Sequence, residues 1–217
     1  MIKPVHEWTQ HWDSKVDIID PVALNGYCTG GVPIARETYF KAVVNPVIER
    51  LDLEPHHRVL DIGCGSGIYI KNALENNSKF VCGIDPAENM LKLTKARLSK
   101  WKINHNYKLI SGNFPDVKIN TNYNFIIVMG VMDYIPNPEI FINGLKGLYS
   151  ESVALSFPSK HWFRSPIRKF RYNLRNCPIY LYDKNSINQL MKSCDIKQYE
   201  ITKIPGAGMD YHVLIKY

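Results

Sequence analysis

A glycine-rich stretch that follows an apolar run contains the residues best suited to chemistry. The apolar run carries the carboxylate of Asp61, and Gly63, Gly65 and Gly67 follow at every second position. Glycines at this spacing let the backbone adopt φ > 0 and approach a ligand closely, where a Cβ atom would clash. A dinucleotide turn needs the spacing G-x-G-x-x-G, and here the third glycine comes one residue too early. Asp61 would repel a pyrophosphate but attract an ammonium or sulfonium group, so the stretch predicts a cationic cofactor.

The acidic residue followed by G-x-G-x-G resembles the first motif of the class I (Rossmann-like) S-adenosylmethionine-dependent methyltransferases. The resemblance covers residues 55–157 well and the C-terminal end loosely. It implies methyl transfer from S-adenosylmethionine, with S-adenosylhomocysteine as the product. Within the first motif it implies cofactor contacts from Asp61, Gly63, Cys64, Gly65 and Gly67. The backbone of Cys64, rather than its thiol, is expected to matter.

Asp85 ends the second predicted strand, where a doubly wound sheet presents its ligands. In similar methyltransferases the matching carboxylate accepts hydrogen bonds from both ribose hydroxyls. The alternative is that Asp85 caps the next helix, with Pro86 at the first helical position. The ribose interpretation is favoured because the first motif lies one strand away. Pro86 and Met90 are then expected to line the same site.

The third predicted strand leads into Gly112, Asn113 and Phe114, which are expected at the adenine. Where Asn113 stands, the family usually has an acidic residue near the adenine amino group. An amide oxygen can still accept from that amino group, while the amide nitrogen could serve the ring nitrogens instead. Phe114 or Ile84 could pack on the purine face, and either could equally be an ordinary core residue.

The fourth predicted strand is followed by residues that the resemblance places near the reacting groups. Met129 and Gly130 are expected to line the methionine end of the cofactor. Asp133 and Tyr134 stand where relatives commonly have an acidic residue and a histidine, and they are the predicted catalytic residues together with His161. Asp133 as a local turn former, and His161 as a surface histidine beside arginines, remain alternatives.

Most of the net charge of +7 lies in residues 160–175, here called the basic segment. It holds six cations and no acid, and removing these six charges from +7 leaves the remaining chain close to +1. Ser165 and Pro166 predict a helix start, which puts arginines on one stripe of a helix. Three interpretations stay open: a lid over an anionic substrate, contact with an anionic membrane surface, or a solvated face. The predicted substrate contacts are Tyr27, Tyr39, Arg164, Arg168 and Arg171.

The elements that must position these residues alternate between strand and helix. Strands are predicted at 57–62, 80–85, 107–112, 123–129, 152–157, 196–204 and 210–217, and helices at 67–76, 87–101, 138–149 and 184–194. Apolar runs without alternation indicate a parallel sheet covered on both faces. The prediction is an α/β fold: a doubly wound, mostly parallel seven-stranded sheet with a C-terminal antiparallel hairpin and a helical N-terminal cap.

The length suits a single domain over residues 1–217. Its predicted parts are an N-terminal cap (1–54), a cofactor-binding core (55–157), a basic substrate-lid insertion (158–182) and a C-terminal helix and hairpin (183–217). The cap is predicted as irregular chain that leads into a helix ending at about residue 52. Five scattered cysteines without a C-x-x-C pair suggest neither a disulfide framework nor a metal site. No apolar run approaches a membrane span and the N-terminus lacks the pattern of a signal peptide, so a cytoplasmic location is expected.

These patterns together predict methyl transfer to an oxygen or nitrogen atom of a small, anionic or lipid-linked metabolite. Two alternatives remain. An RNA methyltransferase would use the cations and the aromatic residues among them, although a recognisable RNA-binding appendage is absent from the sequence. A non-catalytic S-adenosylmethionine-binding protein would account for the departures at Asn113 and Tyr134. The oligomeric state is not predicted.

Overall fold

The computed structural model describes residue 9 and residues 27–29, 32–34, 44–160, 179–203 and 210–217. In chain order the elements of this part are β1 (Tyr27–Thr29), β2 (Val32–Ile34), α1 (Asn45–Glu49), β3 (Arg58–Ile62), α2 (Ile68–Glu75), β4 (Phe80–Asp85), α3 (Glu88–Lys100), β5 (Tyr107–Ser111), β6 (Tyr123–Val128), α4 (Pro138–Leu145), β7 (Tyr149–Phe157), α5 (Lys184–Ser193), β8 (Tyr199–Lys203) and β9 (Tyr211–Lys216). No helix among the described residues is long and apolar enough to cross a membrane.

Seven strands form one sheet in the order β5-β4-β3-β6-β7-β9-β8. Strands β3 to β7 pair in parallel, whereas β9 runs antiparallel to both β7 and β8. The predicted doubly wound sheet with a C-terminal antiparallel pair is therefore confirmed. The chain moves outward from β3 to β5 and then returns to the other side of β3 with β6. This reversal opens a crevice at the carboxyl ends of β3 and β6, which is where such sheets bind ligands.

Helices cover both faces of the sheet, as the unbroken apolar strands predict. On one face α1, α2 and α3 bury residues such as Ile48, Ile70 and Leu98 against the strands. On the other face α4 and α5 bury residues such as Phe141 and Met191. The central strands β3, β4 and β6 are thus buried on both faces, whereas the edge strands β5 and β8 stay partly exposed.

The boundary between α4 and β7 differs from the prediction of a helix to residue 149 and a strand from 152. The helix ends at Leu145, and the strand begins at Tyr149, which pairs with Tyr123. Gly147 has a φ of +77° in the turn between them. A residue that reaches this region of φ at no steric cost ends the helix early and leaves room for a longer strand.

The N-terminal part contains a small antiparallel pair, β1 with β2, that the sequence analysis did not predict. The pair joins Thr29 to Val32, and the two residues between them in the sequence are glycines, a combination that favours tight hairpins. The helix expected to end at about residue 52 is described as α1, and it ends at Glu49. Asp52 follows with a positive φ of 48°, which a helix cannot contain.

Candidate functional site

The glycine loop after β3 turns through three positive φ values: +72° at Gly63, +49° at Gly65 and +77° at Gly67. A Cβ atom on Gly63 would lie 2.3 Å from Cγ2 of Val131, and one on Gly67 would lie 2.7 Å from Cγ2 of Thr94. Two of the glycines are therefore required both by their backbone conformation and by the packing of neighbouring loops. The loop is a fixed structure against which a ligand can be positioned.

The loop is also hydrogen-bonded to β4, through its backbone. The amides of Gly63 and Cys64 donate to the carbonyl of Ile84, over 2.8 and 3.1 Å. Burial raises the pKa of Cys64 well above its ordinary value, so the thiol stays protonated. This is in line with the expectation that the backbone of Cys64, and not its sulfur, faces the chemistry.

Asp85 joins the glycine loop to the start of α3. One carboxylate oxygen accepts from the amide of Gly65 and the other from the amide of Ala87, each over 2.9 Å. The second contact closes a local turn, but α3 begins at Glu88 with Ala87 as its N-cap, so Asp85 does not cap the helix and Pro86 is not its first residue. The first contact ties the carboxylate to the loop, and each oxygen can accept a further hydrogen bond, as ribose binding requires. Met90 packs beside the loop, with Cε 3.6 Å from the position of a Cβ on Gly65.

Asp61 is buried beneath this loop without a hydrogen-bond partner for either carboxylate oxygen among the described residues. Burial, and then the negative charge of Asp85, raise the pKa of Asp61 to about 8. An unpaired acidic group near a second carboxylate is unfavourable for an anionic ligand and favourable for a cationic one. The carboxyl groups of Asp61 and Asp85 thus fit a cofactor that carries a positive charge.

The residues after β5 lie at the expected edge but differ in what their side chains do. Asn113 donates from its amide nitrogen to Asp116 over 3.3 Å, which leaves the amide oxygen as an acceptor. Phe114 is buried and packs edge-on against Phe141, with ring centroids 4.9 Å apart. The structure thus places the Phe114 ring in the core, where it positions the loop, while Gly112 continues the turn with a φ of +151°.

Gly130 follows β6 and lies at the switch point, which is the place where the strand order reverses between β3 and β6. Its φ is +72°, its amide donates to the hydroxyl of Ser156 over 2.7 Å, and a Cβ built on it would meet no atom of the described residues within 4 Å. Met129 beside it is half-buried. Gly130 is exposed among the described residues, unlike the packed Gly63, so its backbone offers a surface on which a ligand can lie.

Asp133 and Tyr134 are both buried at the carboxyl end of β6. The carbonyl of Asp133 accepts from the amide of Tyr180 over 2.8 Å, which brings the chain before α5 to this loop. Burial, followed by the negative charge of Asp133, raises the pKa of Tyr182. The sequence analysis did not single out Tyr180 and Tyr182; the two tyrosines just ahead of the Asp183 cap were the available signal.

The two ends of the predicted insertion 158–182, which contains the basic segment, meet at the same edge of the sheet. The amide of Lys160 donates to the carbonyl of Tyr182 over 2.6 Å, and the amide of Tyr182 donates to the carbonyl of Pro158 over 2.9 Å. The amide of Ser159 donates to the Asp210 carboxylate over 2.9 Å. The predicted site residues Tyr39, His161, Arg164, Arg168 and Arg171 lie outside the described residues, as does the side chain of Tyr27.

His212 in β9 is of a residue type that can act as a general base, but its ring contacts a structural partner. Its Nδ1 lies 2.8 Å from Nη1 of Arg50, and because arginine only donates, Nδ1 is the acceptor and the ring is neutral. Burial and the Arg50 charge lower the pKa of His212 to about 4. Arg50 also contacts Glu200 over 2.7 Å, so the three residues join α1 to β8 and β9.

One group of potential metal ligands, Glu54, His56 and His57, lies at the other end of β3. The Nδ1 atom of His57 accepts from the amide of Glu54 over 2.8 Å, and its Nε2 lies 3.2 Å from the Glu151 carboxylate. Both ring nitrogens are thus engaged, and the donor set is a poor fit for a metal.

Comparison with known proteins agrees with this geometry. A family model described as a methyltransferase domain matches residues 59–147. A relative from Methanococcus maripaludis, named as a probable cobalt-precorrin-6B C(15)-methyltransferase (decarboxylating), is 36% identical over 51% of this chain and 58% of its own length. A tRNA U34 carboxymethyltransferase from Idiomarina loihiensis is 32% identical over 47% of this chain and 32% of its own. The chain thus matches little more than half the length of the first relative and about a third of the length of the second.

Among solved structures, the magnesium protoporphyrin IX methyltransferase of Synechocystis PCC 6803 with bound S-adenosylmethionine has a similar fold. The TM-score is 0.71 at 16% sequence identity, and the alignment covers 100% of this chain and 99% of that one. The family model covers the glycine loop and the strands β3 to β6 of this chain. The sheet of this chain also contains the C-terminal antiparallel pair, which lies outside the matched residues. Residues 59–147 therefore match a methyltransferase domain, the described fold is that of the class I S-adenosylmethionine-dependent methyltransferases, and the cofactor of this domain is S-adenosylmethionine.

Proposed function

We propose that this chain transfers the methyl group of S-adenosylmethionine to an oxygen or nitrogen atom of a small, anionic or lipid-linked metabolite. One observation carries the proposal: the two ends of the predicted insertion 158–182, which contains the basic segment, are hydrogen-bonded at the carboxyl end of β7, through Lys160 and Tyr182. We expect the arginines between these ends to reach an acceptor beside the cofactor. Their planar guanidinium groups bind carboxylates and phosphates through paired hydrogen bonds.

The cofactor, when bound, supplies an electrophilic methyl group on a positively charged sulfur. We expect the backbone of the glycine loop and the open face of Gly130 to hold its methionine end, Asp85 to bind the ribose and Asn113 to bind the adenine. The residues of this chain then have to hold the acceptor atom in line with the methyl group and keep water away. Asp133 is the candidate to accept the proton that the acceptor loses, because it is buried at the switch point. Tyr134 and Tyr182 are expected to form the wall beside it.

The names of similar proteins support a small acceptor and also one competitor. A cobalt-precorrin and magnesium protoporphyrin IX are small molecules. The tRNA-modifying relative makes RNA the second candidate, and the net charge of +7 is compatible with it. Phosphate contacts with RNA weaken steeply as salt rises, so the salt dependence of binding distinguishes this candidate.

A direct test incubates the protein with S-adenosylmethionine and a panel of carboxylate- and phosphate-bearing metabolites, and measures S-adenosylhomocysteine. Bulk tRNA serves as the RNA probe, and vesicles containing an anionic lipid test for contact with a membrane surface. We expect turnover with a small anionic acceptor. Turnover with tRNA alone would replace the proposal with the RNA candidate. Tight cofactor binding with no turnover on any acceptor would favour a non-catalytic protein.

A matched pair of variants tests the role of the basic segment. In the first, Arg164, Arg168 and Arg171 are all replaced by glutamine. In the control, the exposed lysines of α3, Lys92, Lys95 and Lys100, are replaced in the same way. The first variant should raise the KM for the anionic acceptor at least about tenfold, because each charged hydrogen bond contributes roughly 1.5–3 kcal/mol. The lysine variant should stay near the wild-type KM; equal effects would reduce the arginines to a contribution of overall charge.

A further inference from the structure

Asp61 has an environment that a permanently charged carboxylate would not tolerate. It lies in the middle of the sheet, in register with Gly83 of β4 and Ile127 of β6, and only 1% of its surface is exposed. It shares the face of β3 with Val59, which is the face that α2 covers. Among the described residues, neither carboxylate oxygen has a hydrogen-bond partner. An isolated charge without hydrogen bonds in such a place is strongly unfavourable.

Among the residues that the structure describes, the titratable groups around Asp61 carry no positive charge. They are Asp85 and Cys82 on β4, Cys64 in the glycine loop and Tyr69 on the face of α2 that packs against this side of the sheet. The thiols of Cys64 and Cys82 stay protonated because burial raises the pKa of each. Burial and the Asp85 charge together raise the pKa of Asp61 to about 8, which leaves the carboxyl group largely protonated at neutral pH.

We propose that Asp61 holds a proton before the cofactor arrives and releases it to solvent when a positive charge of the cofactor binds beside it. Cofactor binding would then be coupled to the loss of one proton from this residue. A cation within a few ångströms favours the charged form of a carboxylate, most strongly where water is excluded. The proposal depends on the cofactor and not on the identity of the methyl acceptor, so it can fail or succeed independently of the proposed function.

Two positive groups could displace the proton, and they can be told apart. S-adenosylmethionine and S-adenosylhomocysteine both carry an α-ammonium group, but only the former carries a sulfonium. Proton release with both molecules would identify the ammonium as the partner of Asp61. Release with S-adenosylmethionine alone would identify the sulfonium, and Asp61 would then help the site to distinguish the cofactor from its product. Either result supports the proposal.

The experiment is titration calorimetry of the full chain with each molecule at pH 7, in two buffers with different ionisation enthalpies. The dependence of the heat on the buffer gives the number of protons released. We expect wild type to release close to one proton more than Asp61→Asn, which keeps the shape but cannot titrate. The α-amino group of the cofactor titrates near pH ~8 and can itself exchange a proton on binding. Subtracting the proton release of Asp61→Asn from that of wild type removes this contribution. The control Asp195→Asn, at a side chain that is 82% exposed, should match wild type. Equal proton release from wild type and a folded Asp61→Asn would overturn the proposal.

A second measurement needs no variant. Infrared difference spectra of the wild-type protein should show the loss of a protonated carboxyl band when the cofactor is added at pH 7, and the absence of that loss would also overturn the proposal. The affinity for the cofactor should rise about tenfold per pH unit from pH 6 and level off near pH 8, because one proton leaves on binding. An affinity that is independent of pH over this range would contradict the coupling.

Discussion

The two halves of the carboxyl edge are built in different ways. At β3, β4 and β5 the site consists of turns and main-chain groups, as in the hydrogen bonds from the Gly63 and Gly65 amides to β4. At β6, β7 and β9 it consists of contacts between distant segments, such as the Tyr180 amide on the Asp133 carbonyl. We expect the first half, called the cofactor half, to bind S-adenosylmethionine through its backbone, and the second, called the acceptor half, to place side chains against the methyl acceptor.

Binding the cofactor is the same task whatever the methyl acceptor is, whereas binding the acceptor changes with its identity. A backbone grip depends on φ and close approach, which only glycine allows, so the cofactor half is defined by residue type at short spacing. The acceptor half depends on which side chains the fold brings together, and these can change without disturbing the sheet. Function therefore has to be argued from the second half, because the fold alone is compatible with many acceptors. Variants in the two halves should accordingly have separable effects.

The largest expected effect is on the rate of transfer, in the acceptor half. Asp133→Asn should lower kcat by about 100-fold or more, because the amide cannot accept a proton from the methyl acceptor. The Kd for S-adenosylmethionine should change less than about twofold, and calorimetry alongside the transfer assay measures both. If this variant lost tight cofactor binding, the division of the site into two halves would be contradicted, since Asp133 would then belong to the cofactor half.

The next effect is on cofactor affinity, in the other half. Asp85→Ala should weaken cofactor binding by about 10- to 100-fold, because it removes the ribose acceptor and the partner of the Gly65 amide. Asp183→Ala is the matched control, since that carboxylate caps α5 in a capping box. The control should cost about 1 kcal/mol of stability and leave the affinity unchanged. Similar affinities for the two variants would contradict the role assigned to Asp85.

Two glycines with nearly the same backbone conformation sharpen the comparison further. Gly130 and Gly147 have φ values of +72° and +77°, and a Cβ on either would meet no described atom within 4 Å. Replacement by alanine should cost each about 1–2 kcal/mol of unfolding free energy from backbone strain. Only Gly130→Ala should also weaken cofactor binding, by about tenfold, because its methyl group enters the space expected for the methionine end. Denaturant unfolding and calorimetry separate the two effects.

The smallest effect is on stability at mild acidity. His212 has an ordinary pKa of 6.5 when unfolded and one of about 4 in the folded chain, so the unfolded state binds more protons between these values. Its contribution to stability is therefore present above pH 6.5 and is lost as the pH falls toward 4. Asp61 acts in the opposite sense, because its raised pKa favours the folded state at lower pH.

Comparison with His212→Asn isolates the histidine, since the variant retains an acceptor for Arg50 and keeps Asp61. Between pH 6.5 and 5.5, wild type should lose about 1 kcal/mol more unfolding free energy than the variant. Urea titrations at the two pH values measure this difference. Equal losses in the two proteins would show that His212 is not held neutral in the fold.

The cofactor half was largely predictable because its signals are local. The glycines of the first motif and the strand at 80–85 follow from residue types at short spacing, and the structure contains both. The antiparallel end of the sheet, in the other half, was predicted from the short link between its two strands and is also present. The strand β1 with its partner β2 was missed, although the glycine pair between them was visible. The early end of α4 was also missed, because the turn at Gly147 competes with an otherwise helical pattern.

The acceptor half could not be predicted in the same way. Sequence patterns identify Asp133 as a candidate, but they do not show that Tyr180 reaches its carbonyl or that Ser159 pairs with Asp210, 51 residues further along the chain. They also leave Phe114 open between purine and core, and only the packing against Phe141 places its ring. Each of these facts depends on the order of strands in the sheet.

The sequence by itself determined the fold class, the cofactor and the turn that grips it. It could do so because φ preferences and the spacing of apolar residues act over a few residues. The tertiary structure alone decided that Asp61 has no hydrogen-bond partner among the described residues beneath the glycine loop, that the ends of the insertion 158–182 meet at β7, and that Tyr180 reaches Asp133. Burial and long-range contacts are properties of the packed sheet, and no local pattern records them.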